Sequence, residues 1–166
     1  MDGRPPIAVG TVPGMHAHLD VPADLRAGFL AAGVVETDAG GPTVIGVPGP
    51  LSDWPATLDA LTAVFTKAKA AAVSGAPVVF VVSSDALLGR TGATDAMAAN
   101  GVVSAARTLA AELRKQGAPV NCVARPATTP VDAIVRLVLH LLNGGADDPT
   151  GEVVQLGGAQ IGKALS

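Results

Sequence analysis

The chain has 166 residues, which at roughly 150 residues per domain makes one domain with room for a proper core. Apolar residues make up 49% against 15% charged, which excludes a disordered chain. The formal net charge is −3 with no basic block, so nucleic acid and anionic membrane are poor partners, and the single cysteine, Cys122, excludes an internal disulfide framework and a thiolate metal cluster.

Tyrosine is absent, so any mechanism that needs a phenol as proton donor is excluded before a motif is read. No segment reaches the ~18 consecutive apolar residues of a membrane span. The start, Met1-Asp2-Gly3-Arg4-Pro5-Pro6, lacks the apolar core of a signal peptide, and a cytoplasmic protein is expected.

In chain order, the first strand is expected at Ile7–Val9, followed by an irregular region over Gly10–Asp20. A helix from about Pro22 to Ala32 stops at Gly33. The β-branched run Val34–Thr37 predicts a strand, with a weaker break at Asp38–Gly41 before the next, Thr43–Val47. The second helix opens at Ser52-Asp53, a good N-cap pair, and carries Trp54, Leu58, Leu61, Phe65 and Ala68 at spacings of three to four until Gly75. Val78–Ser83 then reads as a strand that is apolar on both faces, as in a sheet covered by helices on both sides. A third helix runs from about Asp95 to Lys115 with Val102, Ala105, Ala106, Leu109 and Leu113 on one stripe, ending at Gly117. Val120–Val123 is the next strand. The fourth helix begins at Thr129-Pro130-Val131-Asp132, read as a cap, a proline at the first helical position and an acid at the third, and Gly144-Gly145 closes it. Val153–Leu156 is the last strand. Strands alternating with helices specify βαβ units and a mostly parallel sheet in an α/β fold.

From about Pro42 to Gly162 the wording of these elements resembles the short-chain dehydrogenase/reductase family. Ser52-Asp53-Trp54 with the run from Leu58 to Phe65 resembles that family's fourth helix, and Val79–Ser84 the strand that delivers its catalytic serine. Arg107 to Leu113, continuing through Ala118-Pro119-Val120-Asn121-Cys122, resembles its catalytic helix and the strand after it. Thr150-Gly151-Glu152-Val153-Val154-Gln155-Leu156-Gly157-Gly158 is similar to its C-terminal signature. The resemblance implies a Rossmann-like three-layer sandwich of about six strands in a single domain over residues 1–166. Residues 1–41 form its shortened, divergent N-terminal part.

The departures bear on function. The family uses an Asn–Ser–Tyr–Lys set. Here the asparagine position falls on Ala60, and Ser84 remains as a relic of the serine. Counting forward from Ser84 puts the tyrosine and lysine on Met97 and Gly101, whereas counting back from Leu109 puts them on Asp95 and Ala99. Neither register restores the proton donor. The family's glycine fingerprint is matched to the degenerate loop Gly10-Thr11-Val12-Pro13-Gly14-Met15-His16, in which Gly10 and Gly14 keep a spacing and His16 takes the third glycine. Between Gly33 and Pro42 a whole βα segment is missing. No catalytic residue and no cofactor are therefore expected, beyond a weak residual affinity for NADP(H).

The remaining candidates read more simply as structure. His16, His18 and Asp20 form an HxHxD run, but His140 lies on a distant helix and no ligand cluster accompanies them, so no metal is expected. Ser84 has no histidine or lysine placed to activate it and reads as a hydroxyl capping the strand end. Cys122 reads as an inert buried thiol, Trp54 as a helix-start packing residue, and Arg90 and Arg125 as surface arginines near the mouth of the site.

In the resembled family the helices matching the second and third pack against the same pair of a neighbouring subunit. That implies a partner interface over Leu61, Phe65, Ala68, Val102, Ala105, Leu109 and Leu113. The expectation is a noncatalytic subunit in a hetero-oligomer with an active short-chain reductase, a ketoreductase of polyketide or fatty-acid assembly, which it stabilises or orients. Two alternatives stay open: an enzyme with catalysis relocated to Ser84, Asp95 or His16, and a self-associating homodimer that binds a small ligand.

Overall fold

The computed structural model describes residues 14–38, 40–144 and 149–157. The predicted strand Ile7–Val9, together with Gly10, Gly145 and Gly158, lies outside them. The first described strand, β1 (His16–Asp20), falls in the stretch that the sequence reading leaves irregular. Only Ala17 and Leu19 are apolar and buried in it, too short an alternation to stand out. After β1 come α1 (Ala23–Ala31), β2 (Val35–Glu36), β3 (Thr43–Gly46), α2 (Trp54–Val73), β4 (Val78–Ser83), the single turn α3 (Ser84–Leu87) and α4 (Ala93–Glu112). The chain ends in β5 (Val120–Arg125), α5 (Val131–Leu142) and β6 (Val153–Gln155).

All six strands are parallel and lie in one sheet, in the order β2-β1-β3-β4-β5-β6. Parallel neighbours need crossovers, and these put helices on both faces. Successive residues of β4 divide between two cores. Val78, Phe80 and Val82 pack under α2 and α4, while Val79 and Val81 pack under α1 and α5. This is why the run reads as apolar throughout.

β2 lies at the sheet edge and β3 on the far side of β1, joined only by residues 37–42. That short crossover runs beside β1, where the His18 backbone amide donates to Pro42 O at 2.9 Å and His18 Nδ1 lies 3.1 Å from Thr37 O.

Asp53 caps α2 by accepting from the Ala56 amide at 2.9 Å, with Pro55 in the first turn. After α4 the chain makes one 3-10 turn, Arg114–Gln116, and leaves through Gly117 at φ 71°, a left-handed conformation that favours glycine. Pro130 is the N-cap of α5, not its first helical residue, because its ψ of 139° is extended. Asn121 fastens the C-terminal strand. Its Nδ2 donates to Pro149 O at 2.9 Å, and its Oδ1 accepts from the Glu152 amide at 3.2 Å. Thr150 Oγ1 adds a bond from the Val120 amide at 3.0 Å. The Thr-Gly-Glu wording is thus a docking segment for β5. Among the described residues no helix is long and apolar enough to cross a membrane.

Candidate functional site

The chain winds one way from β1 through α1 to β2, and the other way from β3 through α2 to β4. In such sheets ligands bind outside the carboxyl ends of the strands, where this reversal opens a crevice. A cavity of about 470 Å³ lies there, at the ends of β3, β4 and β5. That volume falls within the usual range for small-molecule sites. Val47, Val81, Val82, Leu25 and Ala86 make it largely apolar. Ser83, Thr91, Asp95 and Arg125 bring its polar side chains.

The connection from β1 to α1 is only Val21-Pro22. Pro22 is the N-cap of α1, and its ring packs over Gly46, so closely that a Cβ at Gly46 would come 2.9 Å from Pro22 Cδ. Gly14 and His16 instead sit at the amino end of β1, away from the crevice. The degenerate-loop assignment is therefore corrected: His16 begins the strand that precedes the turn, and the turn itself has no glycine. Pro22 also brings no amide.

Asp24 in the first turn of α1 accepts from Arg125 Nη1 at 3.0 Å. Partial burial works to raise the Asp24 pKa. The Arg125 hydrogen bond and charge, with the backbone amides of Leu25 and Asp24, outweigh it and hold the carboxyl below its ordinary 3.8.

α4 decides between the two sequence registers. Asp95 and Ala99, one helical turn apart, line the cavity. Met97 is half exposed, and Gly101 lies against Leu61 of α2, where an added Cβ would stand 3.2 Å from Leu61 Cδ2. Asp95 Oδ1 accepts from the Leu51 amide at 2.8 Å and Thr94 Oγ1 donates to Leu51 O at 2.7 Å, so the start of α4 holds the loop after β3. Ala60 lies half-buried on α2.

Ser84 is buried, with no hydrogen-bond partner for its Oγ, and does not line the cavity. The cap belongs to its neighbour: Ser83 Oγ accepts from the Ala86 amide at 3.3 Å and faces the cavity. The two serines differ because Ser83 ends β4 as the N-cap of α3, whereas Ser84 is the first residue of that helical turn.

The other candidates are scattered. His16 and His140 are exposed, and Asp20 pairs with Lys67 at 2.7 Å. Among the described residues no three His, Cys, Asp or Glu side chains converge on a point. Arg90 is exposed and pairs with Asp85. Cys122 is fully buried, and its thiol is pushed up to about 12 by burial, against a small opposing effect of Arg107. Trp54 opens α2 with half of its surface exposed.

The interface stripe also needs correction. Ala68, Val102, Leu109 and Leu113 are buried in the protein's own core, because α2 and α4 lie side by side on the sheet and turn these residues inward. Leu61, Phe65 and Ala105 remain half-buried at the outer face. Leu58, part of the second helix's apolar stripe but not of the expected interface, and Met97 are both exposed.

The sheet order and its crevice define a doubly wound α/β protein. Its fold is that of the short-chain dehydrogenases/reductases. It superposes on an acetoin dehydrogenase from Salmonella typhimurium with a TM-score of 0.61 and 18% identity, over 70% of this chain and 62% of that one. This match spans less than two thirds of that protein's length. For an acetoin dehydrogenase from Enterobacter cloacae the TM-score is 0.66 at 12% identity, covering 86% of this chain and 93% of the other. An enoyl-[acyl-carrier-protein] reductase (NADH) from Aquifex aeolicus gives 0.63 at 13%, covering 87% and 95%. The likeness is one of fold. No family model matches the sequence, and no curated protein does.

Proposed function

We propose that the protein is a noncatalytic subunit that assembles with an active short-chain reductase, a ketoreductase of the polyketide or fatty-acid type, and stabilises or orients it. The observation that carries this reading is the pair Asp95 and Ala99 on the cavity side of α4. In the resembled family a phenol there donates the proton and an ammonium one turn on assists it. Here a carboxylate and a methyl group stand in those places, and the chain has no tyrosine.

The turn after β1 supports the further reading that a nicotinamide dinucleotide is bound weakly at most. A pyrophosphate is held by free backbone amides at a glycine turn and helix N-terminus. Here Pro22 covers Gly46 and offers no amide, and the Asp24 carboxylate stands in the first turn of α1. Like charge there opposes phosphate.

The partner face of this reading is the outer side of α2 and α4, with Leu58, Leu61 and Phe65 on one helix and Met97, Gly101 and Ala105 on the other. Leu58 and Met97, 45% and 49% exposed, supply apolar surface to that face. The test is co-expression with an intact reductase encoded beside it, followed by gel filtration and an NADPH-dependent assay on a β-keto thioester. A mixed complex, with turnover only when the reductase is present, is the expected result. Turnover by this chain alone that is lost in Asp95→Asn overturns the noncatalytic claim, and separate elution of the two proteins overturns the partnership.

A further inference from the structure

The proposed assembly makes no use of the cavity, yet the cavity is not a featureless gap. Asp95 stands in it with one oxygen, Oδ1, engaged by the Leu51 amide at 2.8 Å. The second oxygen accepts no hydrogen bond from the described residues, and no Lys, Arg or His among them lies within 4.0 Å of the carboxylate. Among the described residues the one cation lining the cavity, Arg125, is already tied to Asp24 at 3.0 Å. The N-terminus of α4 opposes the Asp95 charge by only roughly half a unit. The described groups therefore leave a net negative charge, among walls such as Leu25, Val47, Val81 and Ala99.

From this geometry we infer that the cavity is a binding site for a compact organic ammonium ion. Its cationic head pairs with the Asp95 carboxylate, and its apolar body lies on the valine and leucine walls. A dinucleotide carries charge of the wrong sign for this site. A partially desolvated carboxylate with an unused oxygen gains more from a charged donor than from a neutral one. A cation of small-molecule size also removes apolar wall area from water. The inference rests on the cavity and not on the proposed partnership, so either can fail without the other.

The test compares three probes of one shape and different charge: benzylamine as its ammonium ion, benzyl alcohol and benzoate. Binding is followed by calorimetry and by amide shifts of the full-length protein at neutral pH. Benzylammonium is expected to bind at least about tenfold more tightly than benzyl alcohol, with benzoate weakest. Asp95→Asn keeps an oxygen for the Leu51 amide, so it is expected to retain the fold and remove the preference for the cation. Ala99→Leu, which fills the cavity and leaves Asp95 intact, is expected to weaken all three probes. Preference for benzoate overturns the inference and hands the site to Arg125. Equal binding of the three probes, no binding of benzylammonium, or an unchanged preference in Asp95→Asn overturns it as well.

Discussion

The Arg125 guanidinium at the end of β5 donates to the Asp24 carboxylate in the first turn of α1 at 3.0 Å, joining residues 101 apart in sequence across the mouth of the crevice. Asp24 is depressed below its ordinary 3.8. A carboxyl with a lowered folded pKa contributes stability above its unfolded value, and that contribution is lost as pH falls through the folded value. Asp24→Asn is therefore expected to destabilise the protein at neutral pH and to do so progressively less at an acid pH below 3.8. The pair is partly exposed, so the neutral-pH effect stays under about 1 kcal/mol. Urea unfolding of both proteins at the two pH values measures it, and a difference independent of pH contradicts the assignment.

Cys122 provides an accessibility test. Its thiol is fully buried and pushed up to about 12, so maleimide at neutral pH is expected to leave the native protein unlabelled and to react only in denaturant. The neutral thiol favours the folded state up to its unfolded value of 9.0, and this stability is lost as pH rises from 9.0 to about 12. Mass spectrometry after timed labelling reads the first effect. Alkaline unfolding compared with Cys122→Ala reads the second.

Gly46 and Pro22 form a contact whose consequences can be separated. A methyl at Gly46 would press on Pro22 Cδ at 2.9 Å, so Gly46→Ala is expected to cost about 1–3 kcal/mol. Pro22→Ala removes the obstructing ring atom. In the double variant the Gly46→Ala cost is expected to shrink, a non-additivity that a double-mutant cycle in urea detects.

Burial divides α4 and α2 into residues that hold the fold and residues free to meet a partner. Val102→Glu places a charge in the core and is expected to abolish the folded circular-dichroism signal, at a cost of several kcal/mol. Phe65→Glu and Ala105→Glu change half-buried outer positions and are expected to preserve the fold while dispersing any assembly. Gel filtration run beside thermal melting distinguishes these outcomes. Retained assembly in both outer variants means that the helix pair is not the interface.

The two-sided apolar runs at Thr43–Val47 and Val78–Ser83, the Asp53 cap and the glycine stops at Gly75 and Gly117 made most of the architecture readable before any coordinates. β1 was missed because its polar residues line a side of the strand that is only partly covered. His16, His18 and Asp20 are exposed or half-buried, and Lys67 pairs with Asp20 there. An uncovered face removes the hydrophobic requirement on which pattern reading depends. Missing β1 displaced the glycine loop to the wrong end of the strand.

The sequence by itself determined the α/β class, the alternation of strands and helices and the absence of a phenolic proton donor, because these follow from local periodicity and composition. Tertiary structure alone decided which residues face one another. It chose Asp95 and Ala99 over Met97 and Gly101, set Ser83 rather than Ser84 at the cavity, brought Arg125 to Asp24, and turned Val102 and Leu109 into the core. The physical reason is that a helix exposes several stripes of similar polarity. Only its rotation against the sheet and against its neighbouring helix selects the stripe that meets the cavity, the core or the outer face.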